Sequence, residues 1–250
     1  MVFIGFLFTA AFFFESAAGI CGCSTVSPRI NLNSENPFPR VSDEPMLIAL
    51  TFDDGPSVYT SLLLDAFSER GAFATFFTAG EEVNANPHIA YRIVNEGHEI
   101  ACHTYSHPIL TTLSAEEIRI ELAKSRESIY NATGTFPAVM RPTYGNHNSQ
   151  VRSVAAEFGM PLILWNVDTA DWRDRDSEVI HNRIINPRGL PLVQNGDIII
   201  MHDTIGTTVE AAIKIVDSLQ ELGFQFVTVS RLFDAKGIEL IPGAVYSCAG

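Results

Sequence analysis

Apolar residues recur along this chain at two spacings, and the two alternate. Short runs dense in β-branched and aromatic side chains, at 46–52, 72–78, 98–102, 138–141, 161–167, 197–201 and 224–229, read as buried strands. Between them, 61–70, 87–96, 114–130, 149–158, 176–186 and 207–222 carry helical patterns. The first shows its apolar positions at Leu62 to Leu64 and Phe67 and stops before Gly71. Ser114, with Glu117 three residues on, opens the third as a capping box. Several of these stretches end at glycine, the residue suited to a left-handed C-cap.

Strands alternating with helices in this way predict a mainly parallel sheet covered by helices. No glycine-rich dinucleotide fingerprint follows a strand. The α/β class expected is therefore a distorted (β/α) barrel of about seven parallel strands, whose C-terminal strand ends converge on one mouth. Residues with chemical capacity collect at those ends. Asp53 and Asp54 follow the first strand, His103 the third, Arg141 closes the fourth, Asp168 follows the fifth and His202 the sixth.

The ends of the chain change the picture of where it works. Its 250 residues, 46% of them hydrophobic, suit one domain with a sizeable core, assigned here to 46–250. Residues 1–14 are almost wholly apolar, yet shorter than the roughly 20 that cross a bilayer. Ser16, Ala17, Ala18 and Gly19 follow, as at a signal-peptidase site. Residues 1–19 are thus expected to be a cleaved signal peptide, with no membrane contact afterwards and a secreted, cell-surface or wall location. An irregular arm rich in Ser, Asn and Pro fills 20–45. In an oxidising compartment, a bridge from Cys21 or Cys23 to Cys248 would pin both ends, whereas Cys102 sits in an apolar run and packs as a small buried residue. A net charge of -13 argues against nucleic acid or an anionic membrane as partner, and a neutral or cationic polymer is easier to approach. A monomer is expected.

Three fragments carry the chemistry. Asp53-Asp54-Gly55-Pro56 would read as a turn if it stood alone. Two adjacent carboxylates after a buried strand, however, repel unless a cation or arginine joins them, and one can bind metal while the other stays free as a base. His103 and His107 stand four apart, as two ligands on one helical turn would. With Asp54 they make two imidazoles and a carboxylate, a catalytic zinc-type donor set that iron, cobalt or manganese would also fit. His202 ends an apolar run, and Asp171 or Asp168 could orient it and raise its pKa for protonating an amine. Arg141 could hold Asp53 ionised. His88, His98, His147 and His181 read as structural or surface residues.

In order and type these residues resemble the five motifs of the polysaccharide deacetylases, carbohydrate esterase family 4, over roughly 46–235, with a look nearest to fungal-type chitin deacetylases. The resemblance implies Asp53 as base, with Asp54, His103 and His107 as ligands to a divalent metal, zinc first and cobalt as an alternative. It implies Arg141 as the brace of the base, the Tyr144 backbone N–H as an oxyanion donor and Asp171 as partner of the acid His202. Trp172 and Ile200 would wall the acetyl pocket. The implied reaction is hydrolysis of N-acetyl groups from an N-acetylglucosamine polymer, chitin foremost, releasing acetate. Peptidoglycan and acetylated xylan stay open as substrates. So do a wall-binding homologue without activity and a non-carbohydrate amidohydrolase. Thr143 stands where the family commonly has proline, Ile200 where it usually has leucine, and Cys102 where a small residue is common.

Overall fold

The structure is a computed structural model that describes residues 45–250. The expected signal peptide, nearly all of the arm, Cys21 and Cys23 lie outside the described residues. Cys248 is disulfide-bonded, and Cys102 is a buried free thiol. No described helix is long and apolar enough to cross a membrane.

The strands, in chain order, are β1 (Met46–Asp53), β2 (Ala74–Thr78), β3 (Glu99–Cys102), β4 (Leu162–Ile163), β5 (Val167–Asp168), β6 (Ile198–His202), β7 (Phe224–Phe226) and β8 (Val245–Tyr246). β1 is the centre. It pairs in parallel with β2 on one side and β6 on the other, while its first residues pair with β7. β3 extends the sheet beyond β2 and β5 extends it beyond β6. Met140 then bridges Cys102 of β3 to Leu162 of β4, which turns the sheet round toward β8. The result is a distorted barrel of parallel strands.

Two expected strands are cut short for identifiable reasons. The run 138–141 contributes only the bridge at Met140, because Pro137 and Pro142 flank it and neither has an N–H to donate. The run 161–167 breaks into β4 and β5. At the break the Asn166 side chain takes over part of the ladder, accepting from Ile198 N–H at 2.9 Å and donating to Asp197 at 2.6 Å.

The period-two pattern of β1 assigns its faces. Ile48, Leu50 and Phe52 point outward into a core shared with Leu63, Leu64 and Phe67 of the helix Thr60–Arg70 and with Ile215 and Leu219 of the helix Gly206–Glu221. Ala49 points inward, among Phe77, Ala101, Ile163 and Ile198. Thr51 and Asp53 share that inner parity, which puts a buried carboxylate at the end of the central strand. The helix Ala115–Thr133 opens with the expected capping box and closes on left-handed Gly134. It covers a third cluster behind Cys102, Met140 and Leu162.

Candidate active site

The buried guanidinium of Arg141 organises the inner end of β1. Its Nη1 donates to Asp53 Oδ1 at 2.6 Å and to Thr51 Oγ1 at 2.8 Å, while Nε and Nη2 donate to the carbonyls of Ile163 and Leu164. It also lies over the ring of Phe77, 4.0 Å from its centroid. Burial pulls the Arg141 pKa down, and Asp53 opposes that fall. A planar fork with five donors can satisfy all these acceptors at once, which a lysine could not. The Asp53 carboxylate is thereby fixed through Oδ1, leaving Oδ2 turned toward His103, 3.8 Å from Nε2.

Asp54, His103 and His107 meet beside it, each offering a ligand atom within 4.8 Å of the others. The histidine spacing is not realised on a helix, contrary to expectation. Both lie in the loop after β3, where Thr104 and His107 adopt left-handed backbone (φ 68° and 59°) and fold the loop back on itself. The Thr104 hydroxyl accepts from His107 N–H at 3.1 Å, and Glu121 accepts from the N–H groups of Tyr105 and Ser106. These hydrogen bonds tie down the loop that carries both imidazoles.

The donor chemistry fits a cation. His103 Nδ1 lies 2.8 Å from the Arg141 carbonyl, which can only accept, so in the neutral ring Nδ1 carries the proton and Nε2 presents a lone pair. That lone pair faces Asp54 Oδ1 at 3.4 Å, and His107 Nε2 faces the same oxygen at 3.2 Å. Asp54 Oδ1 is buried and has no hydrogen-bond partner among the described residues. Ligands at zinc-like distances of about 2.0–2.1 Å in a tetrahedron stand roughly 3.3 Å apart, which matches these separations. Burial pushes Asp54 upward, but the two imidazoles outweigh it and hold the carboxylate well below its ordinary range. Burial likewise lowers His103, and the facing Asp53 and Asp54 more than reverse it.

Across the cleft, His202 Nδ1 sits 2.9 Å from Asp171 Oδ1. Asp171 Oδ2 accepts from the His202 backbone N–H at 2.7 Å and from Thr208 Oγ1 at 2.9 Å. A fully buried carboxylate thus has both oxygens engaged in orienting one ring. Burial disfavours the imidazolium, but Asp171 overcomes this and raises the His202 pKa to about 9. Asp168 does not share this task. Its Oδ1 accepts from Ala170 N–H, and it stands at the rim.

Asp53, Asp54, His103, His107 and His202 line one cleft of about 740 Å³, together with Trp172, Ile200 and Tyr144, while Arg141 and Asp171 are buried behind it. Tyr144 has left-handed backbone (φ 58°, ψ 14°) and sets its ring edge-on to His107. The buried Thr143 hydroxyl donates to the Pro108 carbonyl, so the residue standing in place of proline ties the Tyr144 loop to the His107 loop. Cys102 packs behind the ligands as expected. His98 accepts from Ala74 N–H in the core, and burial drops its pKa to about 4, consistent with a neutral structural ring.

Sequence reading passed over Asp203. It is fully buried, its Oδ1 has no hydrogen-bond partner among the described residues, and burial raises its pKa to about 7. Its Oδ2 accepts from Thr60 Oγ1 at 2.5 Å and its backbone carbonyl accepts from Ser57 Oγ at 2.6 Å. A Cβ placed on Gly55 would lie 2.4 Å from both its carboxyl oxygens. Gly55 is glycine because this carboxyl occupies the space. The available signal was an acid immediately after His202 at the end of a buried strand.

Residues 40–163 match the family model "Polysaccharide deacetylase". The chain is 38% identical over 190 residues to the peptidoglycan-N-acetylglucosamine deacetylase PgdA of Listeria monocytogenes, covering 76% of this chain and 39% of that protein. It therefore spans about two fifths of the length of this relative. It is also 38% identical over 191 residues to the peptidoglycan-N-acetylmuramic acid deacetylase PdaC of Bacillus subtilis, with the same two coverages. The solved PdaC structure superposes with a TM-score of 0.73 at 36% identity, covering 79% of this chain and 94% of that one. A family 4 acetyl xylan esterase from Clostridium thermocellum, in complex with a cobalt ion, gives 0.74 at 31% identity, covering 81% and 98%. With this fold, this arrangement of motif residues and these likenesses, the chain belongs to the polysaccharide deacetylases of carbohydrate esterase family 4.

Proposed function

We propose that this protein hydrolyses N-acetyl groups on an N-acetylated glycan, with peptidoglycan the preferred substrate class. The observation that carries the reaction is the convergence, in one cleft, of a braced carboxylate, a two-histidine-one-carboxylate donor set and a carboxylate-oriented histidine. The substrate class rests on the relatives, two of which are named for peptidoglycan. Chitin, expected from the sequence, shares the N-acetylglucosamine unit.

Asp54, His103 and His107 would hold the metal, zinc first and cobalt compatible. When bound, it supplies a Lewis acid that lowers the pKa of water and polarises the acetyl carbonyl. Asp53, held by Arg141 through one oxygen, accepts a proton from the attacking water with the other. The N–H of Tyr144, on its left-handed turn, donates to the oxyanion that develops on the carbonyl. His202 delivers its Nε2 proton to the departing nitrogen, because Asp171 already holds Nδ1. Water and an acetamide become acetate and an amine. Trp172 and Ile200 exclude water around the acetyl methyl. Export by way of residues 1–19 would deliver the protein to a wall polymer.

Acetate release from peptidoglycan glycan fragments and from chitin oligomers, measured side by side, tests the proposal. A higher kcat/KM on the peptidoglycan fragments is expected. Preference for chitin would overturn the substrate class, and acetate from neither would overturn the activity.

A further inference from the structure

Three arginines surround the short helix Asp171–Asp174 that carries Asp171 and Trp172, and two of them are committed to Asp174. Arg173 donates to it at 2.9 Å, and Arg183 pairs with its other oxygen. Arg175 has no carboxylate partner among the described residues. Among the described residues the one polar contact of its side chain is a long 3.5 Å approach of Nε to the Trp172 carbonyl, too long to hold a guanidinium in place.

Its position is nevertheless specified. Arg175 takes left-handed backbone (φ 47°, ψ 35°) where the helix ends, a conformation that costs a non-glycine residue about 1–2 kcal/mol. The turn leaves it on the cleft wall with Trp172. Among the described residues that line the cleft it is the only lysine or arginine, and Asp53, Asp54 and Asp168 supply the acidic side chains. The chain as a whole carries a charge of -13. An anionic polymer therefore meets general repulsion and one local attraction, whereas a neutral glycan has no need of an unpaired cation here.

We propose that Arg175 is a specificity-determining residue that pairs with a carboxylate carried on the glycan, the free 3-O-lactyl carboxylate of an N-acetylmuramic acid unit bound next to the reacting sugar. The inference rests on the glycan-deacetylase reading of the same cleft. A guanidinium fits the purpose because it takes a carboxylate through two parallel N–H donors, which fixes the orientation of the sugar as well as its charge.

The test compares wild type with Arg175→Gln and Arg175→Lys on three oligomers of equal length. One is built of N-acetylglucosamine alone, one contains muramic acid with a free lactyl carboxylate, and one has that carboxylate converted to a methylamide. Arg175→Gln should lower kcat/KM on the acid oligomer about tenfold, mostly through KM, and leave the other two within about twofold, as expected for a single charge-assisted contact at an accessible site. Arg175→Lys should recover part of the loss, and added salt should shrink the wild-type preference for the acid. Equal losses on all three oligomers would make Arg175 a hydroxyl contact or a structural residue and overturn the inference, as would no loss on any. Binding of the same oligomers, followed by calorimetry, is measured in parallel. If no oligomer yields acetate, the deacetylase reading fails alone, and a charge-selective loss of binding in Arg175→Gln would still uphold the carboxylate site. Without that loss, the site falls too.

Discussion

Asp53 and His202 face the same cleft, and in the proposed reaction they take opposite proton tasks, each with a buried partner that suits it to its task. Arg141 engages one oxygen of Asp53 and leaves the other open. Asp53→Asn keeps the shape and the Arg141 contact but removes the base. It should lower kcat by about 10²–10⁴, the usual contribution of a positioned acid or base, with metal content unchanged on elemental analysis. Activity near wild type would remove Asp53 from its role. His202 gives a signature in pH. Its pKa is raised to about 9, so the protonated acid is present at neutral pH and is lost as pH rises through that value. The stability contributed by its pairing with Asp171 is complete below the ordinary value of 6.5 and disappears over the same interval. The alkaline limb of kcat should therefore fall near pH 9 and move to lower pH in Asp171→Asn. An alkaline limb that stays in place in that variant would separate His202 from it. The identities of these residues were legible from sequence because each is a charged or polar group at the end of an apolar strand. Their pairing was only half legible, since either Asp168 or Asp171 could have reached His202, and the choice depends on the turn at Ala170.

At the scale of elements, loops as well as strands hold the site. The four-residue spacing of His103 and His107 suggested a helix, but the chain builds it from a loop with two left-handed residues and carboxylate clamps from Glu121. Spacing alone does not distinguish these, because both bring residues four apart together. The strand 138–141 was misread because its apolar content is that of a strand, while the flanking prolines, also visible, limit it to one bridge. The loop Asp53-Asp54-Gly55-Pro56 is held from below by Asp203 against Gly55, a contact between residues far apart in the chain that no local pattern reveals. Gly55→Ala should force that carboxyl to move, costing about 1–3 kcal/mol in thermal or denaturant unfolding and weakening metal binding at the neighbouring Asp54. Adding Asp203→Ala should restore part of the loss, since the two substitutions meet at one contact. Purely additive losses would show that the contact is not what requires glycine.

For the whole molecule, the parallel barrel explains why Asp53 and His202, 149 positions apart, share one cleft: strand ends converge, and the register pairs Asp53 directly with His202. The alternation of strand and helix periods made this class of fold readable. The closure through Met140 and β8 was not readable, because single bridges and two-residue strands leave no periodic trace. In the proposed reaction this convergence needs a cation at Asp54, His103 and His107. The most direct measurement strips divalent metal from the purified protein with a chelator, restores zinc or cobalt by titration, and follows acetate release from N-acetylated glycan oligomers. Activity that disappears on stripping and returns in full at one metal per chain, but not in His103→Ala, is the predicted result. Undiminished acetate release from protein shown to be free of metal would contradict it.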